Sequence, residues 1–407
     1  MKLLANSIFT QAEIEQFRND TIGCTYVNHL NNAGAALMPN VVTDAITGHI
    51  KLEAEIGGYE AAAAKAGAIA GFYGLAARLI NSKPGNIAFT ASATDSYIRA
   101  LSSIPFVAGD IILTDCDDYI SNQLHFLSLK KRFGVDIVHI KNAAAGGVDL
   151  ADLEAKLYEL KPRLLAITHI PTNSGLVQPV NQIAAIYAKY CQENGDKTWY
   201  ILDACQSAGQ MKLDVQQLQC DFLSVTNRKF LRGPRGSGFL YISDKALQGK
   251  LEPLFIDMRG ARWTEKDQYE QQPDAKRFED WEFAYATVVG SAEAIRYCLA
   301  IGEDRIWQQV KQLSAYLRTR LASIPNVRVL DQGPELSSSV TFTVANSSAE
   351  YLVKQFLQHN INVVSSYREF AVIDFDQKQV EWAIRVSPHY YNSIDELDAL
   401  VDCLAGF

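Results

Sequence analysis

Residues 202–243 read LDACQSAGQMKLDVQQLQCDFLSVTNRKFLRGPRGSGFLYIS, and this stretch decides the fold. The apolar runs Trp199–Leu202 and Phe222–Val225 predict two buried strands. Asp203 directly follows the first run, and Lys229 follows the second after a short turn. In a parallel α/β sheet, ligands bind outside the carboxyl ends of the strands. We therefore expect both side chains to reach one crevice.

The sequence on either side alternates short apolar runs with helical patterns. The further predicted strands are Ile87–Phe89, Asp110–Leu113, Asp136–Ile140, Leu164–Thr168 and Gly238–Ile242. Helices are predicted over Ala93–Ile104, Asn122–Phe133, Leu150–Leu160 and Val180–Gln192, and an Ala-rich stretch predicts one helix from Glu53 to Ile80. Strands that alternate with helices indicate βαβ units and a mostly parallel sheet.

The pattern changes near residue 280, where a long amphipathic region, Trp281–Ile324, predicts helices. Shorter elements follow it, with strands at Val327–Leu330, Val340–Val344, Asn362–Val364 and Trp382–Val386 and helices at Glu350–His359 and Ile394–Leu404. We therefore predict an α/β protein in three parts. These are an N-terminal segment 1–30 that packs on the small domain, a large α/β domain 31–280 and a small α+β domain 281–407.

Composition excludes several classes of partner. The formal net charge of −8 disfavours binding to nucleic acid or to an anionic membrane, and the apolar runs are far shorter than the ~20 residues that span a bilayer. Nothing at the N-terminus resembles a signal peptide. The seven cysteines are scattered without a CxxC pair or zinc-ligand spacing. Together these features predict a cytoplasmic protein with reduced thiols and no metal site.

Asp203 and Lys229 suit a particular chemistry when they share a crevice. A carboxylate at a strand end can pair with a protonated pyridine nitrogen, which makes the ring an electron sink. A desolvated lysine has a depressed pKa and can form a Schiff base. Taken singly, the aspartate also suits a turn, and a lysine before the glycine-rich stretch Gly233–Gly238 also suits the solvated surface. Their joint order favours a site for pyridoxal 5'-phosphate (PLP).

The segment Ile201–Tyr241 resembles the cofactor site of PLP enzymes with the class V aminotransferase fold. This group includes cysteine desulfurases, isopenicillin N epimerase and hercynylcysteine sulfoxide lyase, and the likeness extends over nearly the whole chain. It implies fold type I of the PLP-dependent transferases, with a large, mostly parallel sheet domain and a smaller α+β C-terminal domain. By this resemblance, Lys229 carries the cofactor and moves the Cα proton, Asp203 binds the pyridine nitrogen and Gln206 contacts the ring hydroxyl.

The resemblance extends to other cofactor positions. The turn before the helix that starts near Asp95 would offer backbone N–H groups to a phosphate, as helix N-termini do. The roles implied are phosphate binding by Ala93, Thr94, Thr226 and Arg228, contact near the ring hydroxyl by Asn173, and stacking on the ring by Tyr119, in a register open by one residue.

The substrate site is implied by two further segments. Arg385, in AIRVSPHYYNSIDELD, matches the arginine that binds the substrate carboxylate, a task that suits its planar fork. An arginine there also suits the solvated surface. Asn31 and Asn32, in HLNNAG, match the segment that lines the substrate site.

The reaction is predicted from the absence of a cysteine in one loop. Desulfurases need a nucleophilic cysteine there, and the corresponding stretch Ser365–Trp382 has none. The motifs RFEDWE at 277–282 and HYYN at 389–392 resemble the lyase and epimerase-like branch. We therefore predict β-elimination from a cysteine-derived amino acid, as in a carbon–sulfur lyase. Epimerisation and transamination are alternatives, a PLP-binding protein without catalysis is a further one, and the resemblance implies a homodimer.

Overall fold

The computed structural model describes residues 7–195 and 197–405, and its largest element is a seven-stranded sheet. In spatial order the strands are Ile87–Thr90, Gly238–Ile242, Phe222–Thr226, Trp199–Asp203, Leu164–Thr168, Ile111–Thr114 and Asp136–His139. Gly238–Ile242 runs antiparallel to both of its neighbours, and the remaining pairs are parallel. The predicted α/β fold class is confirmed.

Both faces of this sheet are buried, which explains why its strands are continuous apolar runs. Ile201 and Leu202 are adjacent in one strand, yet they belong to two different hydrophobic clusters. Side chains alternate between the faces of a strand, so each face contributes to its own core. The helices that accompany the sheet are Asn40–Ile56, Gly58–Ala64, Ala66–Leu79, Ala93–Ser103, Ile120–Phe133, Leu150–Leu160, Val180–Asn194, Val215–Leu218 and Asp244–Gln248.

The single helix predicted over Glu53–Ile80 is wrong. The chain forms three helices there, because Gly57 adopts a φ of +97° after Ile56 and the helix that follows ends at Ala64. A positive φ is outside the right-handed helical region and is readily adopted by glycine. A helix-forming composition therefore does not show where one helix ends and the next begins.

The C-terminal part contains a separate four-stranded antiparallel sheet. Its strands, in spatial order, are Val327–Val329, Val340–Val344, Trp382–Val386 and Val364–Tyr367. The helices of this part are Glu303–Ala322, Ala349–Gln358, Val372–Lys378 and Ile394–Ala405. A third hydrophobic cluster, which includes Phe342, Phe356 and Leu397, joins the sheet to its helices.

The N-terminal residues and one long helix connect the two sheets. Asn28–His29 pairs in parallel with Ile361–Asn362, and the helix Tyr285–Ile301 packs against Asn40–Ile56 and Ala66–Leu79. The division at 30 and 280 remains a prediction. The other elements are the helices Gln11–Asn19 and Asn32–Ala35, the hairpin Ala261–Glu265 with Gln268–Gln271, and the 3-10 helices Ile22–Thr25, Pro84–Asn86, Ala275–Phe278 and Arg368–Phe370.

Across the described part of the chain, no helix combines the length and apolar character needed to cross a membrane.

Candidate active site

A cavity of about 40 Å³ opens at the carboxyl ends of the parallel strands. Residues 203 and 226 end two neighbouring strands, and the register aligns Thr168 with Asp203 across a third. The predicted residues that line the cavity are Ala93, Thr94, Tyr119, Asp203, Gln206, Thr226, Arg228 and Lys229. The fold thus brings eight positions from four chain segments to one crevice.

Lys229 is held in a buried turn beside Arg228. Its side chain is only 7% exposed, and the turn is closed by hydrogen bonds from Arg232 N to Lys229 O and from Gly233 N to Asn227 O. Burial, together with the nearby Arg228 guanidinium, lowers the pKa of Lys229 to about 8. Neutral amine, which is the nucleophilic form, is therefore abundant at mildly alkaline pH.

This lowered pKa gives a prediction for cofactor loading. We expect the rate at which the protein takes up PLP to rise about tenfold per pH unit below pH 8 and to level off above it, because only the neutral amine attacks an aldehyde. Stopped-flow absorbance between pH 6 and 10 measures this rate. A rate that kept rising to pH 10 would mean that Lys229 has the pKa of a solvated lysine.

The end of the cavity around Asp203 is negative. Asp203 Oδ1 accepts a hydrogen bond from Cys205 N at 2.9 Å, and Oδ2 accepts one from Asn122 Nδ2 at 3.2 Å. Gln206 Nε2 donates to Ala33 O at 3.2 Å, whereas the buried Gln206 Oε1 has no partner among the described atoms. A ring nitrogen that carries a proton and an adjacent ring hydroxyl would satisfy the carboxylate and this oxygen.

The other end is positive, because Arg228 and Lys229 line it and the charge of Arg385 lies close to both. Arg385 is buried and donates to Thr172 O at 2.9 Å and to Asn31 Oδ1 at 3.2 Å. Burial lowers the pKa of Arg385 to about 10, and Arg228 contributes to the lowering. The buried Arg385 Nε has no partner among the described atoms. An anionic ligand would relieve this repulsion and supply the missing acceptor.

A helix start completes the positive end. Ser92 caps the helix Ala93–Ser103 by accepting a hydrogen bond from Asp95 N at 3.1 Å. The first amides of a helix have no intrahelical acceptor, and Ala93 and Thr94 line the cavity. With Thr226 and Arg228 they form a set of donors suited to phosphate. The donor set and the two charged ends of the cavity fit PLP.

Gly238 allows the helix start to approach the sheet. A Cβ at this position would lie 2.4 Å from Val225 O and 3.0 Å from the Ser92 carbonyl carbon, and neither backbone atom can move freely. We expect Gly238→Ala to displace the helix start, to weaken PLP binding about tenfold and to cost about 1–3 kcal/mol of stability. Fluorescence titration with PLP and thermal unfolding measure the two effects.

Gly71→Ala is the matched control, because a Cβ there meets nothing within 4 Å and the residue lies in a helix. This change should leave PLP affinity unaltered and raise stability slightly. Unchanged PLP affinity in Gly238→Ala would show that the helix start does not hold the phosphate.

Four predicted site residues are not among those that line the cavity: Asn31, Asn32, Asn173 and Arg385. Asn173 Oδ1 accepts a hydrogen bond from Ser366 Oγ, and its Nδ2 donates to Phe370 O at 3.1 Å. The Asn32 amide donates to Ser387 O at 2.8 Å. The structure therefore places both side chains in contacts with the C-terminal part, and their roles toward ring and substrate stay predictions. Asn31, in contrast, contacts Arg385 directly.

The HYYN motif supports the loop after Lys229. His389 Nε2 lies 2.9 Å from Phe230 O, and Tyr391 OH donates to Asn32 Oδ1. The fully buried Arg232 donates from Nη1 to Tyr390 OH and from Nε to Leu37 O at 2.8 Å. This motif thus positions the lysine loop and does not line the cavity. The buried side chain of Arg277 likewise donates to backbone carbonyls, those of residues 247, 251 and 272.

Sequence reasoning missed part of the cavity wall. The additional lining residues are Ser92, Asn122, Thr168, Ile170, Thr172 and Cys205. Thr168 ends a predicted strand, so its position carried a signal like that of Asp203. Asn122 carried none, because its contact with Asp203 depends on how a helix packs on the sheet. In the described ranges, no group of three or more His, Cys, Asp or Glu side chains is arranged to hold a metal ion.

The sequence as a whole matches one family model. Residues 28–400 match aminotransferase class V. The chain belongs to this family, and it is a PLP-dependent enzyme, as the resemblance implied.

The individual relatives are each less than 30% identical to this chain. The chain is 28% identical over 331 residues to a probable cysteine desulfurase of Methanothermobacter thermautotrophicus, covering 81% of this chain and 80% of the relative. It is 26% identical over 382 residues to a probable hercynylcysteine sulfoxide lyase of Mycobacterium tuberculosis, covering 93% and 89%. Among solved structures, a mutant of C-DES with glycine covalently linked to the PLP cofactor matches with a TM-score of 0.84 at 25% identity, covering 96% of this chain and 99% of the other.

Proposed function

We propose that this enzyme cleaves a carbon–sulfur bond of a cysteine-derived amino acid by β-elimination. The observation that carries the proposal is the cavity itself, which is lined by a buried lysine of lowered pKa, a carboxylate and Arg228, with the charge of Arg385 close to the lysine. PLP, when bound, supplies an electron sink for the pair left at Cα. The relatives named as a sulfoxide lyase and as desulfurases support a sulfur-containing substrate.

The side chains divide the work of elimination. Arg385, helped by Asn31, holds the substrate carboxylate and so fixes Cα. Lys229 Nζ then takes the Cα proton as general base. The sulfur group leaves Cβ with the electron pair of the broken C–S bond, and the resulting enamine reacts with water to give pyruvate and ammonium. Asp203 holds a proton on the ring nitrogen throughout.

The cysteines support elimination over persulfide transfer. Stretch 365–382 has no cysteine, and Cys205 is the one that lines the cavity. Burial raises the pKa of the Cys205 thiol well above its ordinary value, and the Asp203 carboxylate raises it further. The thiol therefore stays protonated at neutral pH, whereas persulfide formation needs a thiolate.

The test is product analysis with purified, PLP-loaded protein. Cysteine, S-alkylcysteines and their sulfoxides are supplied in turn, and pyruvate, ammonium, alanine and the sulfur product are measured. Elimination predicts equal amounts of pyruvate and ammonium from at least one substrate. Alanine with protein-bound persulfide would instead indicate desulfuration, and solvent deuterium at Cα without net product would indicate epimerisation. A keto acid formed only with an amino acceptor would indicate transamination.

We further propose that the enzyme is a homodimer. An exposed apolar set supports this, since Leu254, Phe255, Met258 and Trp263 are each 64–85% exposed near one another in the chain. Light scattering coupled to size-exclusion chromatography gives the mass, and about twice 45.1 kDa is expected.

We also propose a cytoplasmic location. All seven cysteines are free thiols, which is typical of a reducing compartment. Cell fractionation followed by detection with a specific antibody tests this.

A further inference from the structure

A second buried carboxylate lies behind the cavity, next to Asp203. Asp118 is 8% exposed and sits one residue before Tyr119. Its Oδ1 accepts hydrogen bonds from Tyr119 N at 2.6 Å, Asn122 Nδ2 at 2.8 Å and Thr168 Oγ1 at 2.5 Å. Its Oδ2 accepts one from Gln123 Nε2 at 2.9 Å. Four neutral donors thus stabilise a negative charge that no cation touches among the described residues.

One amide connects this carboxylate to the ring-nitrogen site. Asn122 Nδ2 donates to Asp118 Oδ1 at 2.8 Å and also to Asp203 Oδ2 at 3.2 Å. An amide NH₂ has two hydrogens, so both bonds can exist together. The orientation of Asn122, and with it the donor to Asp203, is therefore set by Asp118.

The titratable groups around this bridge are mostly acidic. Burial raises the pKa of Asp118 to about 6, and Asp203 adds to the rise, while hydrogen bonds from Thr168, Asn122 and Gln123 lower it. The other titratable groups near it on the packed elements are Tyr97, Asp115, Asp117 and, through Gln123, His139. Above pH 6, Asp118 therefore adds negative charge to the end of the cavity where a pyridinium would lie.

We propose that Asp118 is a positioning residue that, through Asn122, orients the Asp203 carboxylate and helps to keep the PLP ring nitrogen protonated. The proposal rests on the proposed PLP chemistry and deepens it. It assigns a role to a residue that neither lines the cavity nor touches substrate.

Asp118→Asn tests the charge with little change of shape. Gln123 can reverse its amide to accept from the new Nδ2, so the hydrogen bonds can persist. The readout is the solid-state ¹⁵N NMR shift of the ring nitrogen, followed with pH in protein loaded with ¹⁵N-labelled PLP. We expect the deprotonation midpoint to fall by about one pH unit or more. We also expect kcat to fall about tenfold while KM stays within about twofold.

Asp117→Asn is the matched control, since this neighbouring aspartate is equally buried but bonds to Asn142 instead. It should leave the ¹⁵N midpoint unchanged, whatever it does to thermal stability. Asn122→Leu, which keeps both carboxylates but removes the shared amide, should also lower the midpoint, and it serves if Asp118→Asn does not fold.

An Asp118→Asn midpoint equal to that of the unaltered protein would overturn the inference. Equal downward shifts in Asp117→Asn and Asp118→Asn would overturn it too, because a general loss of negative charge would then explain both. If the unaltered protein bound no PLP, the proposed function itself would fail, so the two failures are distinguishable.

Discussion

Replacing Lys229 with alanine is expected to lower kcat by roughly 10³- to 10⁴-fold, which is the upper part of the range for loss of a general base. The buried amine is the group that the structure places to take the Cα proton, and the turn that carries it is closed by its own backbone hydrogen bonds. Fold and stability should therefore persist. Steady-state pyruvate release measures the loss of activity.

Covalent attachment provides an independent measurement for the same variant. After borohydride reduction and proteolysis, mass spectrometry should find the PLP adduct on the peptide that contains Lys229 in the unaltered protein. No adduct should form in Lys229→Ala. Lys212→Ala, which changes an exposed lysine earlier in the same segment, is the control and should behave as the unaltered protein. An adduct on another lysine with full activity would remove Lys229 from the mechanism.

The second large effect is expected at Arg385. Arg385→Ala should raise KM by roughly 10²- to 10³-fold with a smaller change in kcat, because it removes a buried, charge-assisted pairing with the substrate carboxylate. Arg385→Lys should recover only part of the loss, since an ammonium cannot make the two parallel hydrogen bonds of a guanidinium. Initial rates across a substrate series give both constants.

Arg368 offers the comparison for this variant. It lies in the same C-terminal part, pairs with Asp376 through an exposed ion pair and does not line the cavity. Arg368→Ala should change KM by less than about twofold, as expected for an exposed ion pair. A KM for Arg385→Ala equal to that of Arg368→Ala would assign the carboxylate to another group.

The sheet could be predicted closely because its strands are buried apolar runs. Leu164–Thr168, Gly238–Ile242 and Val340–Val344 were predicted to their observed ends. The hairpin Ala261–Glu265 with Gln268–Gln271 was missed, since most of its side chains are exposed and no apolar face marks the strands. A buried strand is recognisable in the sequence as a run of apolar residues, and an exposed hairpin has no such run.

The residues of the site likewise include some whose positions the sequence predicts and others whose positions it does not. Asp203 and Lys229 follow strands, so their meeting is set by topology that the sequence reveals. Asn122 reaches Asp203 only because a helix packs at one particular rotation on the sheet. Asn173 turns toward Ser366 and Phe370 of another part of the chain, a contact that depends on how two parts dock. The roles of such residues depend on packing angles, which a sequence pattern does not predict.

The buried Arg232 has a consequence for the timing of synthesis. The Tyr390 hydroxyl that accepts its hydrogen bond lies 158 residues later in the chain. At about 5–20 residues per second, a ribosome needs roughly 8 to 32 seconds to cover that distance. Throughout this interval the loop beside Lys229 lacks its final support, so the nascent chain cannot complete its cofactor pocket. We therefore expect the protein to bind its cofactor only at the end of synthesis or after it.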